Sequence, residues 1–337
     1  MALFVRHPAG DAPKLAHRAA RIEDRLHRFL SRRARRHGHV TTIVAYTGYG
    51  DTHRVRILAR VLLVKEPRQG SRAERRQRGE HVRGWRAFLS VPVSDARVTI
   101  TIGGRSCTVH PDRGGVVDHT LAIDLDPGWH TATLSTQAAT KTWPAPVFVV
   151  DPRADFGIVS DVDDTVMVTA LPRPFLAAWN TFVVDEHARV PTPGIAVMLE
   201  RLVAEHAGGP VVYVSTGAWN VAPAVTRFLS RNLYPPGPLL LTDWGPTHDR
   251  FFRSGTEHKR QSLERLHEEF PQMRWLLLGD DGQHDEQTYD EFALRHPDNV
   301  AAVAIRQLSP SEAVLAGRRK KTPRRTVRSH VPWVAAP

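Results

Sequence analysis

The spacing of apolar residues along this chain changes twice. Over residues 14–36, Leu15, Ala19, Ile22, Leu26 and Phe29 recur at intervals of four and three, the period of an amphipathic helix. Nine Lys or Arg occupy its other faces against Glu23 and Asp24. From residue 41 to about 150 the pattern becomes that of strands. Residues 41–46, 55–64, 87–93, 98–102, 116–124 and 130–134 are short, rich in β-branched side chains and separated by glycine-containing turns. Close spacing of this kind predicts an all-β sandwich. A charged run within 65–84 reads as a solvated loop.

From residue 156 the pattern changes again. Strand-like runs at 157–160, 211–214, 239–241, 275–278 and 300–305 alternate with helical stretches at 193–205, 222–231, 257–269 and 285–296. That alternation predicts an α/β domain, a parallel sheet with helices on both faces. Residues 166–191 form a long insertion containing Phe175, Trp179 and Phe182, read either as a small cap or as a packed loop. The expected organisation is a basic helix at 1–40, a β-domain at 41–150, an α/β domain at 151–310 and a basic tail at 311–337.

Composition narrows the class. The hydrophobic fraction of 41% and charged fraction of 24% are those of a globular protein. No apolar run reaches the length of a membrane-spanning helix, and residues 1–14 lack a signal-peptide core, so a cytoplasmic location is expected. One cysteine, Cys107, leaves no internal disulfide and no cysteine-built zinc site. The net charge of +11 favours anionic partners. The basic helix and tail would suit the surface of an anionic membrane, or simply be solvated faces. No aromatic-and-basic platform supports nucleic-acid binding.

The chemistry gathers at strand ends. Phe156, Ile158 and Val159 run into Ser160, Asp161, Asp163, Asp164 and Thr165. Carboxylates at the end of a buried strand are costly unless solvent or a cation offsets them, and the carboxyl ends of parallel strands are where open α/β sheets place ligands. One carboxylate can attack phosphorus, and a second, two residues on, can act as acid and then base. The spacing of a calcium loop is absent, since its sixth and twelfth positions hold Val166 and Pro172. A second strand ends in Ser215 and Thr216, which can bind phosphate oxygens or cap a helix. Lys259 is one of only six lysines among 46 basic residues, and its compact ammonium can neutralise a phosphoryl group. The run at 275–278 enters G-D-D-G-Q-H-D, where Asp280 and Asp285 could complete a Mg2+ site with Asp161 and Asp163. Taken singly, each has an ordinary alternative: an acidic turn, a helix cap, a surface lysine.

The combined order of strand-D-x-D-x-T, strand-S, Lys and strand-G-D resembles the haloacid-dehalogenase (HAD) superfamily of aspartate-nucleophile phosphohydrolases. The segments D-V-D-D-T-V, Y-V-S-T-G-A-W-N, L-L-L-T-D-W-G, E-H-K-R and L-L-G-D-D-G-Q-H-D-E-Q-T-Y are similar to the actin-patch-protein type of phosphatidate phosphatase, a relative of the lipins. Y-T-G-Y-G and V-R-I-L-A-R-V-L-L resemble what precedes that catalytic domain in bacterial members. The resemblance implies a HAD-like, Rossmannoid sheet and hydrolysis of phosphatidate to diacylglycerol. It implies Asp161 as nucleophile, Asp163 as general acid/base and Lys259 as a further catalytic group. Ser215 and Lys259 would grip the phosphoryl group, Thr165 would support the first loop, and Asp161, the Asp163 main chain and Asp280 would hold the Mg2+. Thr216-Gly217-Ala218, Asp281 and Glu286 depart from the family pattern. The alternatives are a phosphatase of soluble esters or a phosphatidate-binding module without turnover.

Overall fold

The computed structural model describes residues 29–65, 90–168, 190–242, 254–282 and 284–309. The start of the basic helix, most of the charged run, the greater part of the insertion and the tail lie outside the described residues. Residues 29–36 are helical, but Phe29 is 60% exposed, and Ala34 is the residue of this stretch that enters the core.

Strands β1 (His39–Gly50), β2 (Arg54–Lys65), β3 (Val91–Pro92), β4 (Val98–Ile102), β5 (Arg105–Val109), β6 (Val116–Ala122), β7 (Gly128–Thr136) and β8 (Trp143–Val149) build the N-terminal domain. The expected sandwich of two stacked sheets takes a different form. All eight strands belong to one hydrogen-bonded sheet, ordered β3-β2-β1-β8-β7-β4-β5, with β6 on the remaining length of β2. Its inner face gathers side chains of β2, β4, β7 and β8 into one core, so the sheet curls round itself. Two strands went unforeseen. Cys107 and Val109 alternate with polar residues on β5, and the prolines of W-P-A-P-V on β8 mask a strand whose inward residues Trp143, Ala145, Val147 and Val149 are all buried.

β2 is buried on both faces. Val55, Ile57, Ala59, Val61 and Leu63 fill the β-domain core. Leu58, Leu62 and Val64 point the other way and join the core of the second domain. Such a strand reads as a continuous apolar run, because neither face meets water.

The second domain contains β9 (Phe156–Asp161), the pair β10 (Met167–Val168) and β11 (Val190–Pro191), α1 (Ile195–Glu205), β12 (Val211–Ala218), α2 (Ala222–Arg231), β13 (Leu239–Thr242), α3 (Ser254–Glu269), β14 (Arg274–Asp280), α4 (Asp285–Arg295) and β15 (Val300–Arg306). Its five-stranded sheet has the order β13-β12-β9-β14-β15 and is parallel throughout. Chain order steps outward from β9 in one direction through β12 and β13, then in the other through β14 and β15. With right-handed crossovers, α1 and α2 cover one face and α3 and α4 the other. Arg260 of α3 donates to Glu291 of α4 at 2.7 Å, pinning that second pair together. The order reverses between β9 and β14, which is where such sheets open a crevice at their carboxyl ends.

Candidate active site

Both strands beside that crevice end in carboxylates. Ser160 of β9 lies opposite Leu278 of β14, which brings the ends at Asp161 and Asp280 side by side. Asp161 and Asp280 are each 0% exposed. After Asp161 the chain turns sharply: Val166 N–H and Met167 N–H both donate to the Val162 carbonyl. Asp164 takes a left-handed φ of 59° within this turn. Its N–H donates to Met167 O at 2.8 Å, and Arg306 Nη1 donates to its carbonyl at 2.5 Å.

Lys259 reaches the site from the first turns of α3 and is 3% exposed. Its Nζ lies 2.6 Å from Asp161 Oδ1 and also pairs with Asp285 Oδ1. Asp285 opens α4, and its Oδ2 accepts the Asp280 N–H at 3.3 Å. Gly279 makes that approach possible: a Cβ there would sit 2.7 Å from Asp285 Cβ and 2.8 Å from the Tyr289 ring. Asp280 Oδ1 accepts from Gly282 N–H at 2.6 Å. Asp163 Oδ2 accepts from Ser215 Oγ at 2.9 Å. Ser215 Oγ in turn accepts the Gly217 N–H at 3.0 Å, closing a tight turn after β12.

The charge balance explains the titration behaviour. Burial raises the Asp161 carboxyl well above the ordinary range, with Lys259 opposing and Asp285, Asp280 and Asp163 adding to the rise. Burial, then Asp285, pushes Asp280 up to about 7. Burial alone would lower the Lys259 ammonium, but Asp161 and Asp285 hold it well above its usual value. One ammonium thus serves several buried carboxylates.

That surplus of negative charge is what a hard cation would offset. Asp161, Asp280 and Asp285 each offer an oxygen, all within 4.8 Å of one another. The Lys259 pair aside, the Asp161 oxygens are buried without a hydrogen-bond donor. The donor set is all oxygen and therefore fits a divalent cation. Asp163, predicted as a ligand, lies outside this carboxylate group. Thr216 is half-buried beside Gly255, where a Cβ would meet its Cγ2 at 3.0 Å. Thr165, in the turn that follows Asp161, is 0% exposed, and its hydroxyl is buried without a hydrogen-bond partner.

Some residues escaped the sequence reading. Thr242 ends β13, and its Oγ1 donates to Thr216 O at 3.1 Å and Gly217 O at 3.0 Å. Its signal was available: a hydroxyl directly after L-L-L, as Ser215 follows its own apolar strand. Arg306 had none, since a lone arginine ending a strand in an Arg-rich chain looks like any other.

Comparisons with known proteins bear on residues 156–307, which match the family model described as "Phosphatidate phosphatase APP1, catalytic domain". A relative from Saccharomyces cerevisiae, Phosphatidate phosphatase APP1, is 28% identical over 157 residues, covering 46% of this chain and 26% of that protein. An uncharacterized protein from Schizosaccharomyces pombe is 25% identical over 177 residues, covering 50% of this chain and 27% of its own length. The chain therefore spans about a quarter of the length of the curated relatives it matches. Among solved structures, the HAD domain of effector protein Lem4 from Legionella pneumophila shares 15% identity at a TM-score of 0.32, covering 48% of this chain and 89% of that one. A likeness at that score carries no weight for the chemistry. Residues 156–307 are thus similar in sequence to the catalytic domain that this family model describes.

Proposed function

We propose that this protein is a Mg2+-dependent phosphatidate phosphatase that works through an aspartyl-phosphate on Asp161. One observation carries the reading: a fully buried Asp161 at the carboxyl end of the central strand, 2.6 Å from Lys259 and clustered with Asp280 and Asp285. An Asp161 oxygen attacks phosphorus in line, and the ester P–O bond breaks. Asp163, protonated at the outset, gives its proton to the departing diacylglycerol oxygen. It then takes a proton from water, which attacks the acyl phosphate and frees inorganic phosphate. Lys259 opposes the rise that burial imposes on the Asp161 carboxyl and faces the phosphoryl oxygens. Ser215 orients Asp163 through their 2.9 Å hydrogen bond and brings the Gly217 N–H into the same turn. Mg2+ held by Asp161 and Asp280 would neutralise the charge that develops on the phosphoryl group.

Phosphatidate is met at an anionic bilayer, which suits a chain of net charge +11. Each Lys or Arg near such a surface adds about 1 kcal/mol of attraction. The reading is thus of a peripheral enzyme at the cytoplasmic face. The test is phosphate release from phosphatidate in mixed micelles and from soluble sugar phosphates, with Mg2+ or with chelator. Release from phosphatidate should need Mg2+ and fall by about three orders of magnitude or more in Asp161→Asn. Turnover confined to the soluble esters would replace the lipid substrate. No release from any ester would leave a binding module.

A further inference from the structure

The two tyrosines of Y-T-G-Y-G in β1 are three positions apart, so a regular strand would aim them at opposite faces. The ladder with β2 prevents this. Tyr46 pairs with Leu58 and Tyr49 with Arg56, three steps on β1 against two on β2. The extra residue is a β-bulge, a device that re-aims side chains. Gly48 lies within it, where a Cβ would stand 2.3 Å from the Arg56 carbonyl oxygen. Both tyrosines consequently leave the β-domain and enter the core of the catalytic domain.

They meet its two phosphate-handling elements. The Tyr46 ring stacks on Trp219 at 4.8 Å between centroids and 25° between planes, and its hydroxyl donates to the Trp219 carbonyl at 3.1 Å. Trp219 lies two residues beyond Gly217, directly after β12. The 215–219 turn is therefore held from two sides, by Thr242 on the carbonyls of Thr216 and Gly217 and by Tyr46 on that of Trp219. Tyr49 packs 6.1 Å from Phe270, which closes the end of α3, the helix carrying Lys259. A second tie runs alongside: Arg56 grips Asp118 with two hydrogen bonds of 2.7 and 2.6 Å, and Arg265 of α3 lies 3.5 Å from the same carboxylate.

We infer that the β-domain is part of the catalytic apparatus, with Tyr46 a positioning residue that fixes the 215–219 turn for phosphate through Trp219. This rests on the phosphatase reading, but one of its readouts needs no turnover. Burial keeps the Tyr46 hydroxyl protonated and available as a donor.

The experiment compares wild type, Tyr46→Phe and Tyr46→Leu by amide hydrogen exchange, by calorimetric titration with inorganic phosphate in Mg2+, and by kinetics on p-nitrophenyl phosphate. Tyr46→Phe keeps the stack and removes only the donor, so it should fold. In Tyr46→Leu, exchange across 215–221 should speed by about tenfold or more while that of 275–280 stays unchanged. The Kd for phosphate and the KM should rise together by about threefold to tenfold, with kcat held within about twofold. Tyr46→Phe should fall between. Folded variants with wild-type exchange at 215–221 would overturn the inference. So would faster exchange with an unchanged phosphate Kd. A wild type that binds phosphate but turns over no ester would defeat the phosphatase reading instead, leaving exchange and Kd to decide the role of Tyr46.

Discussion

At the scale of the residue, Lys259 is the hinge of the electrostatics. Its amine is the counter-charge that Asp161 and Asp285 share, and all three side chains are buried. Removing one partner of a buried ion pair leaves an uncompensated charge and costs about 3–5 kcal/mol. Lys259→Met should lose stability of that order at pH 7. The deficit should change with pH in a definite direction. The Asp161 carboxyl already sits well above its unfolded value because of burial, so its penalty is present above the folded pKa and fades as pH falls through it. Thermal melts of wild type and variant at pH 7.5 and 5 should therefore converge at the lower pH, and a constant gap would contradict this account. Asp161, Asp163, Lys259 and Asp280 were legible because each follows a strand or opens a helix where the local pattern cannot use it. Tyr46 was not: its role depends on Trp219, 173 positions away.

At the scale of the element, the helices of the second domain were legible from the alternation of strand-like and helical patterns. Residues 222–231 were placed as observed, and the other three helices of that domain agree to within a few residues at either end. What the period could not show is how β14 and α4 close on one another. Gly279 does this by leaving room for Asp285 and Tyr289. Gly279→Ala should push the start of α4 away from the strand, costing about 1–3 kcal/mol as overpacking does. It should also loosen the Asp285–Lys259 pair, so that phosphate release falls even at temperatures where the variant is fully folded. Activity unchanged at such a temperature would mean the helix absorbs the methyl group elsewhere. The eight-stranded sheet was harder to read, because β8 hides behind two prolines and curling of a sheet leaves no period in the residues that curl.

At the scale of the whole molecule, the boundary near residue 150 divides the sequence pattern but not the core. Val44, Tyr46, Tyr49, Leu58, Leu62 and Val64 of the first domain are packed into the same cluster as Ile158, Trp219, Phe270 and Trp275 of the second. Val150 N–H donates to the Gly50 carbonyl at 2.9 Å, clamping the connection as well. Calorimetry should show one transition whose van't Hoff and calorimetric enthalpies agree. Two separated transitions would mean that the domains are independent.

That shared face has a consequence for synthesis on the ribosome. The β-domain leaves the exit tunnel first, yet Trp219, the partner of Tyr46, follows 173 residues later. At about 5–20 residues per second, the outer face of β1 and β2 stays uncovered for on the order of ten seconds or more. In that interval a nascent chain presents Tyr46, Leu58 and Leu62 to whatever binds unfolded apolar surface, so the yield of folded protein would depend on chaperone supply as well as on the finished fold.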